Sequence, residues 1–123
     1  MNENASDKIK ELTAPFLEKG FAFEYLYQKG GDSSCVYICR YKKGKCFFDW
    51  REVSGGEEIN IVAYINGEFR FPDLKLLFPK QHRAFAFKHL FKRATMDEKR
   101  EFVAGLLVQE LQSGKPDFLG IKL

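Results

Sequence analysis

Over the first twenty residues the apolar positions recur every three or four places, and Ile9, Leu12, Phe16 and Leu17 share one side of a helix. Ser6 is suited to cap that helix, Pro15 to kink it or split it near Ala14, and Gly20 to stop it. After Gly20 the period drops to two. FAFEYLYQ (21–28), CVYICRY (35–41), CFFDWREV (46–53), EINIVAYI (58–65) and EFRF (68–71) each predict a short strand. Tight connections between them imply an antiparallel meander. Asn66-Gly67 is the clearest hairpin signal, since a type I′ turn wants positive φ at both central residues. Pro72 has no amide to donate and ends the last ladder.

Pairing Phe23 with Cys39, Cys39 with Phe48, and Phe48 with Ala63 closes every loop at a workable length. One face then collects Phe21, Phe23, Tyr25, Tyr37, Phe48, Trp50, Ile59, Ile61 and Ile65. This is the expected core face, and it requires a helical layer. The reverse face collects Leu26, Val36, Ile38, Phe47, Val62, Tyr64, Phe69 and Phe71, with Glu24, Arg40, Asp49, Arg51 and Asn60 among them. A solvated face should be cleaner in its polarity. The mixture predicts a cover: the Leu74–Ala94 segment, a second subunit, or a ligand.

Towards the C-terminus, Thr95-Met96-Asp97-Glu98 reads as a capping box. Val103, Leu106, Leu107 and Leu111, with Phe102 beside them, line the helix that follows, and Gly114 lies past its end. KPDFLGIKL is expected to be coil that docks through Phe118, Leu119 and Ile121. Residues 80–93 allow two readings. A helix from Pro79 puts Ala84, Phe87, Leu90, Phe91 and Ala94 on one stripe, with Phe85 the misfit. A strand alternates Phe85, Phe87, His89 and Phe91 instead. The helix is preferred, and in either case the phenylalanines are expected in the core.

The fold class is therefore α+β: an N-terminal helix, a five-stranded antiparallel meander over about 21–71, then one or two helices packed on one sheet face. At 123 residues, 45% hydrophobic and 15% aromatic, the chain is long and apolar enough for one domain spanning 1–123. No apolar run approaches the ~20 residues that span a bilayer, so no membrane partner is expected. MNENASDKIK lacks the apolar core of a secretory signal, and a cytoplasmic location is expected.

Net charge is only +3, but its distribution is uneven. Leu74–Ala94 carries Lys75, Lys80, Arg83, Lys88, Lys92 and Arg93 and no acid. Arg83, Lys88, Lys92 and Arg93 are the candidate anion-binding set, for nucleic acid or another phosphoanion.

Other chemistry finds less support. His82 and His89, seven residues apart, stand about two helical turns from each other and need a third element to share a metal. Cys35 and Cys39 are roughly 13 Å apart along a strand at ~3.3 Å per residue, too far for a disulfide. With Cys46 they read as free thiols, and none sits where its acidity would rise. Gly30-Gly31 and Gly55-Gly56 read as turn glycines, since neither leads from a strand into a helix. Trp50, mid-strand on the core face, is structural. Asp49 and Arg51 share a strand face, with Arg40 and Asn60 expected beside them. Either an ion-pair network or the polar part of a ligand pocket fits that cluster.

No catalytic, metal or cofactor-binding residues are expected, and no cofactor. The leading function is a non-enzymatic protein-interaction module or a homodimer, its protein partner a second copy or another chain, using the mixed reverse face. The alternatives are nucleic-acid or phosphoanion binding through the basic 75–93 segment, and a small-ligand or enzymatic site around Arg40, Asp49, Arg51 and Asn60.

Overall fold

The stretch of two-residue periodicity folds as an antiparallel meander in a computed structural model that describes residues 3–29, 35–53 and 58–123. The elements are α1 (Glu3–Leu12), α2 (Ala14–Glu18), β1 (Ala22–Lys29), β2 (Cys35–Lys43), β3 (Cys46–Val53), β4 (Ile59–Ile65) and β5 (Glu68–Arg70). They continue with α3 (Leu74–Leu77), α4 (Pro79–Lys88), α5 (Met96–Leu111), β6 (Asp117–Phe118) and β7 (Ile121–Lys122). The main sheet runs β1-β2-β3-β4-β5, with every neighbour antiparallel. The architecture is the α+β one that periodicity predicts. The glycine pairs 30–31 and 55–56 lie outside the described residues.

Phe48 opposes Ala63 as expected, but Phe23 opposes Tyr41 and Cys39 opposes Trp50. Two of the three registers are thus displaced by two residues. The β2–β3 turn shows why. β2 runs on to Lys43, so the turn falls on Gly44-Lys45, with Gly44 at φ +62 and no positive φ at Lys45. A two-residue turn with glycine first supplies that angle without strain, whereas the expected register would have asked it of Lys43. A displacement of two leaves every side chain on its own face, so both face assignments hold.

The core lies between the sheet and the helices. Phe16 of α2 is its centre, with its ring 4.9–5.8 Å from those of Phe118, Phe48, Phe21 and Tyr41. The first helix splits at Thr13, one residue before the predicted point. The Thr13 hydroxyl donates to the Ile9 carbonyl at 2.7 Å and so accepts from the Tyr41 hydroxyl, which ties the break to β2. Pro15 sits in the first turn of α2, where its missing amide costs nothing. Gly20, at φ +95, ends it.

α5 begins at the expected capping box: the Thr95 hydroxyl accepts from the Glu98 amide and the Glu98 carboxylate from the Thr95 amide, both at 3.1 Å. Val103, Leu107 and Leu111 recur every four residues and enter the core beneath Trp50 and Ile61. Phe102, partly buried at the edge of the core, receives α4.

The tail is not coil. It forms a two-residue hairpin, with Leu119 at φ +51 and Gly120 at φ +86 making a second turn of the Asn66-Gly67 kind. Phe118 and Ile121 are buried, as expected of docking residues. Hairpin propensity was not visible because Leu119 is a poor residue for positive φ. Tertiary burial of its two neighbours holds it there.

Residues 79–88 are helical, and the predicted stripe is inverted. Phe85 faces inward, its ring stacked at 4.3 Å on Phe102, while His82 meets the same ring edge-on at 5.0 Å. Phe87 is 76% exposed, Leu90 61% and Phe91 102%. The expectation that all the phenylalanines of this segment are core is therefore corrected. The helix ends at Lys88, which leaves Leu90 and Phe91 in a turn, and an aromatic partner on α5 selects the side carrying Phe85.

Candidate functional sites

Two surfaces bear the residues expected to act. The first is the reverse face of the sheet, where antiparallel pairing sets Arg40 opposite Asp49 and Arg51 opposite Asn60. All four stand together across β2, β3 and β4. Arg40 Nε donates to Asp49 Oδ1 at 2.7 Å and a terminal nitrogen donates to Oδ2 at 2.9 Å, a bidentate fork. Those bonds to Asp49 hold the guanidinium pKa above its usual value. Asp49 is buried although the core lies on the other side. Arg40 also lies 4.0 Å over the Phe47 ring, a cation–π contact.

Phe47 opens an aromatic ladder across three strands. Its ring stacks on Tyr64 at 5.1 Å, and Tyr64 meets Phe69 at 5.0 Å. Phe69 is 59% exposed. The polar fork and the aromatic ladder are thus one surface, joined through Arg40 and Phe47. Asp49 has both oxygens engaged, so it offers little to a substrate. Arg51 makes no hydrogen bond or ion pair among the described residues. One cavity lies between α3, α5 and the tail hairpin and another beside Cys46, both away from all four residues.

The second surface is the limb formed by α3 and α4. Asp73 caps α3 by accepting from the Lys75 amide at 2.9 Å. α4 is held from behind by Phe85 and His82 on Phe102, and His89 Nε2 lies 3.5 Å from a Glu98 carboxylate oxygen. The limb therefore packs on α5, and of the three covers considered for the reverse face the Leu74–Ala94 segment is not the one these contacts describe. Arg83, Lys88, Lys92 and Arg93 are all exposed. The predicted anion-binding set is thus solvent-facing, and Phe87, Leu90 and Phe91 stand among it.

The histidines each engage a backbone carbonyl, His82 that of Phe78 at 2.9 Å and His89 that of Lys92 at 3.3 Å. Among the described residues no three His, Cys, Asp or Glu side chains gather as a metal site would require. The three cysteines are free. Burial pushes the Cys39 thiol up to about 12, which makes it a poor nucleophile. Trp50 is fully buried, and its indole donates to Glu52 at 2.9 Å.

Sequence reasoning missed Glu52 and Arg100. Glu52 is buried on the core face and accepts from Arg100 at 2.8 and 3.1 Å. The two-residue alternation Phe48, Trp50, Glu52 already pointed it inward, and that was the available signal.

Comparison with protein-family profiles, with curated proteins and with solved structures found no match. Among the described residues no helix is long and apolar enough to cross a membrane.

Proposed function

We propose that the chain is a non-enzymatic protein-interaction module that pairs with a second copy of itself through the reverse face of the sheet. The observation that supports this is the ladder Phe47–Tyr64–Phe69, which ends in an exposed ring on the face opposite the core. An exposed apolar patch rimmed by polar groups is the ordinary make-up of a contact surface. Charge fits a self-pairing face. Arg40, Lys42 and Arg51 stand against Glu24 and Asp49 there, and the Arg40–Asp49 fork neutralises itself. That leaves one net positive charge on the face, so two such faces meet with only a small like-charge cost. The free thiols fit a reducing, cytoplasmic setting.

The ligand or enzyme reading of Arg40, Asp49, Arg51 and Asn60 ranks behind, because both oxygens of Asp49 are occupied by Arg40.

Light scattering across a concentration series tests the proposal. A dimer is expected, and Phe69→Glu should return a monomer with an unchanged circular dichroism spectrum, since Phe69 lies outside the core. A monomer at every concentration overturns the reading. So does a dimer indifferent to Phe69→Glu, which would place the interface elsewhere.

A further inference from the structure

We propose that the outward side of the α3–α4 limb binds the surface of an anionic lipid bilayer. This goes beyond the self-pairing reading and uses a different surface. It also departs from the sequence expectation of no membrane partner, which rested on spanning alone. A bilayer can be bound without being crossed.

Leu76, Leu77, Phe87, Leu90 and Phe91 project from this limb, with Leu76 78% exposed and the Phe91 ring wholly so. Phe87 cannot turn inward, because α4 is fixed from behind by Phe85 and His82 on Phe102. Lys75, Lys80, Arg83, Lys88, Lys92 and Arg93 alternate with them, and Leu74–Ala94 holds no carboxylate. Five large apolar side chains and six cations thus share one limb.

Charge complementarity demands an anionic occupant. A second copy of this limb is excluded by repulsion between two acid-free cationic surfaces. For nucleic acid the cations would suffice, but bases recruit flat rings for stacking, and three of the five projecting side chains are leucines. A partner protein would need a pocket shaped for each projection, strung over two short helices and a turn. The headgroup region of a bilayer has no such shape requirement. It accepts Leu and Phe alike to a depth of ~5–10 Å, while Lys and Arg stems extend to the phosphates. Clustered basic residues on a helix draw the limb to acidic lipids, with each cation contributing about fivefold in affinity.

The test is co-sedimentation of the full chain with vesicles of phosphatidylcholine containing roughly one-third phosphatidylserine, and with vesicles of phosphatidylcholine alone. Binding is expected to the mixed vesicles, weakening as salt rises, and not to the neutral ones. Lys88→Gln with Lys92→Gln should weaken it roughly 30-fold. Leu90→Ser with Phe91→Ser should weaken it at every salt concentration, with circular dichroism unchanged because both residues are exposed. Phe69→Glu, which tests self-pairing, should retain first-order vesicle binding. No sedimentation with mixed vesicles at low salt overturns the proposal. So does binding indifferent to both double variants, and so does gel-shift of a single-stranded oligonucleotide without vesicle binding, which assigns the limb to nucleic acid.

Discussion

Glu52 and Arg100, 48 residues apart in the chain, meet as a buried ion pair where the core face of β3 touches the first turns of α5. The Glu52 side chain is 5% exposed and that of Arg100 12%. The Trp50 indole completes the carboxylate's bonding, and Asp97 accepts from Arg100 at 3.1 Å. Bonds to Glu52 and Asp97 raise the Arg100 pKa, with the bond to Glu52 the largest cause. Such a pair is satisfied rather than strongly stabilising, because desolvating two charges offsets most of their attraction.

Removing one partner strands the other. Arg100→Met leaves Glu52 buried without its cation and should cost about 3–5 kcal/mol, whereas Glu52→Leu with Arg100→Met should fall near wild type or above it. Urea denaturation of both variants measures this. Equal destabilisation of the single and double variants would show that the pair is not the buried unit described.

This pair also marks the limit of what the residue pattern conveys. Alternation along β3 carries Glu52 inward, but nothing local names a partner on another element. The same limit explains α4. Counting apolar positions selected the richer stripe, with Phe87 and Phe91, yet the helix buries Phe85 because Phe102 offers that side a ring to stack on. Periodicity reports how many apolar residues share a side, not which side has something to meet. Among the local chemical signals, Thr95 and Glu98 cap α5, Asn66 and Gly67 turn at φ +54 and +84, and Gly20 ends α2, whereas Ser6, expected as a cap, lies inside α1, which begins at Glu3. The four polar residues of the reverse face could be gathered because register errors of two preserve faces. Their internal pairing of Arg40 with Asp49 depended on the true register.

Gly120 and Gly44 both sit at positive φ, but their surroundings differ. A Cβ on Gly120 would lie 3.0 Å from Ile65 Cδ1, while nothing lies within 4 Å at Gly44. Gly44→Ala should cost about 1 kcal/mol, from backbone conformation alone. Gly120→Ala adds the clash against a buried side chain and should lower Tm by more. Thermal denaturation ranks the two, and an equal loss would mean that the tail hairpin does not press on β4.

Glu98 accepts from the Thr95 amide, and that bond is the chief cause of its lowered pKa. A carboxyl depressed by folding contributes stability that is complete above its unfolded pKa and is lost as pH falls through the folded value. Glu98→Gln keeps an acceptor at the capping position but cannot titrate. Its stability should therefore fall less steeply than wild type below the ordinary glutamate range, a difference read from urea midpoints at pH 7 and pH 3. Parallel slopes would remove Glu98 from the acid response.

Cys39 is fully buried between Tyr25 and Trp50 on the core face, while Cys35 and Cys46 are half-exposed. Burial raises the Cys39 thiol to about 12, so at pH 8 only roughly one molecule in ten thousand carries the reactive thiolate. Neither access nor ionisation then favours alkylation of Cys39 in the native state. Iodoacetamide at pH 8 should add two labels to the folded chain, at Cys35 and Cys46, and a third only in denaturant, as read by mass spectrometry of the peptides. Rapid native labelling of Cys39 would mean that the centre of the sheet opens to solvent, and the burial that orders both faces would have to be reassessed.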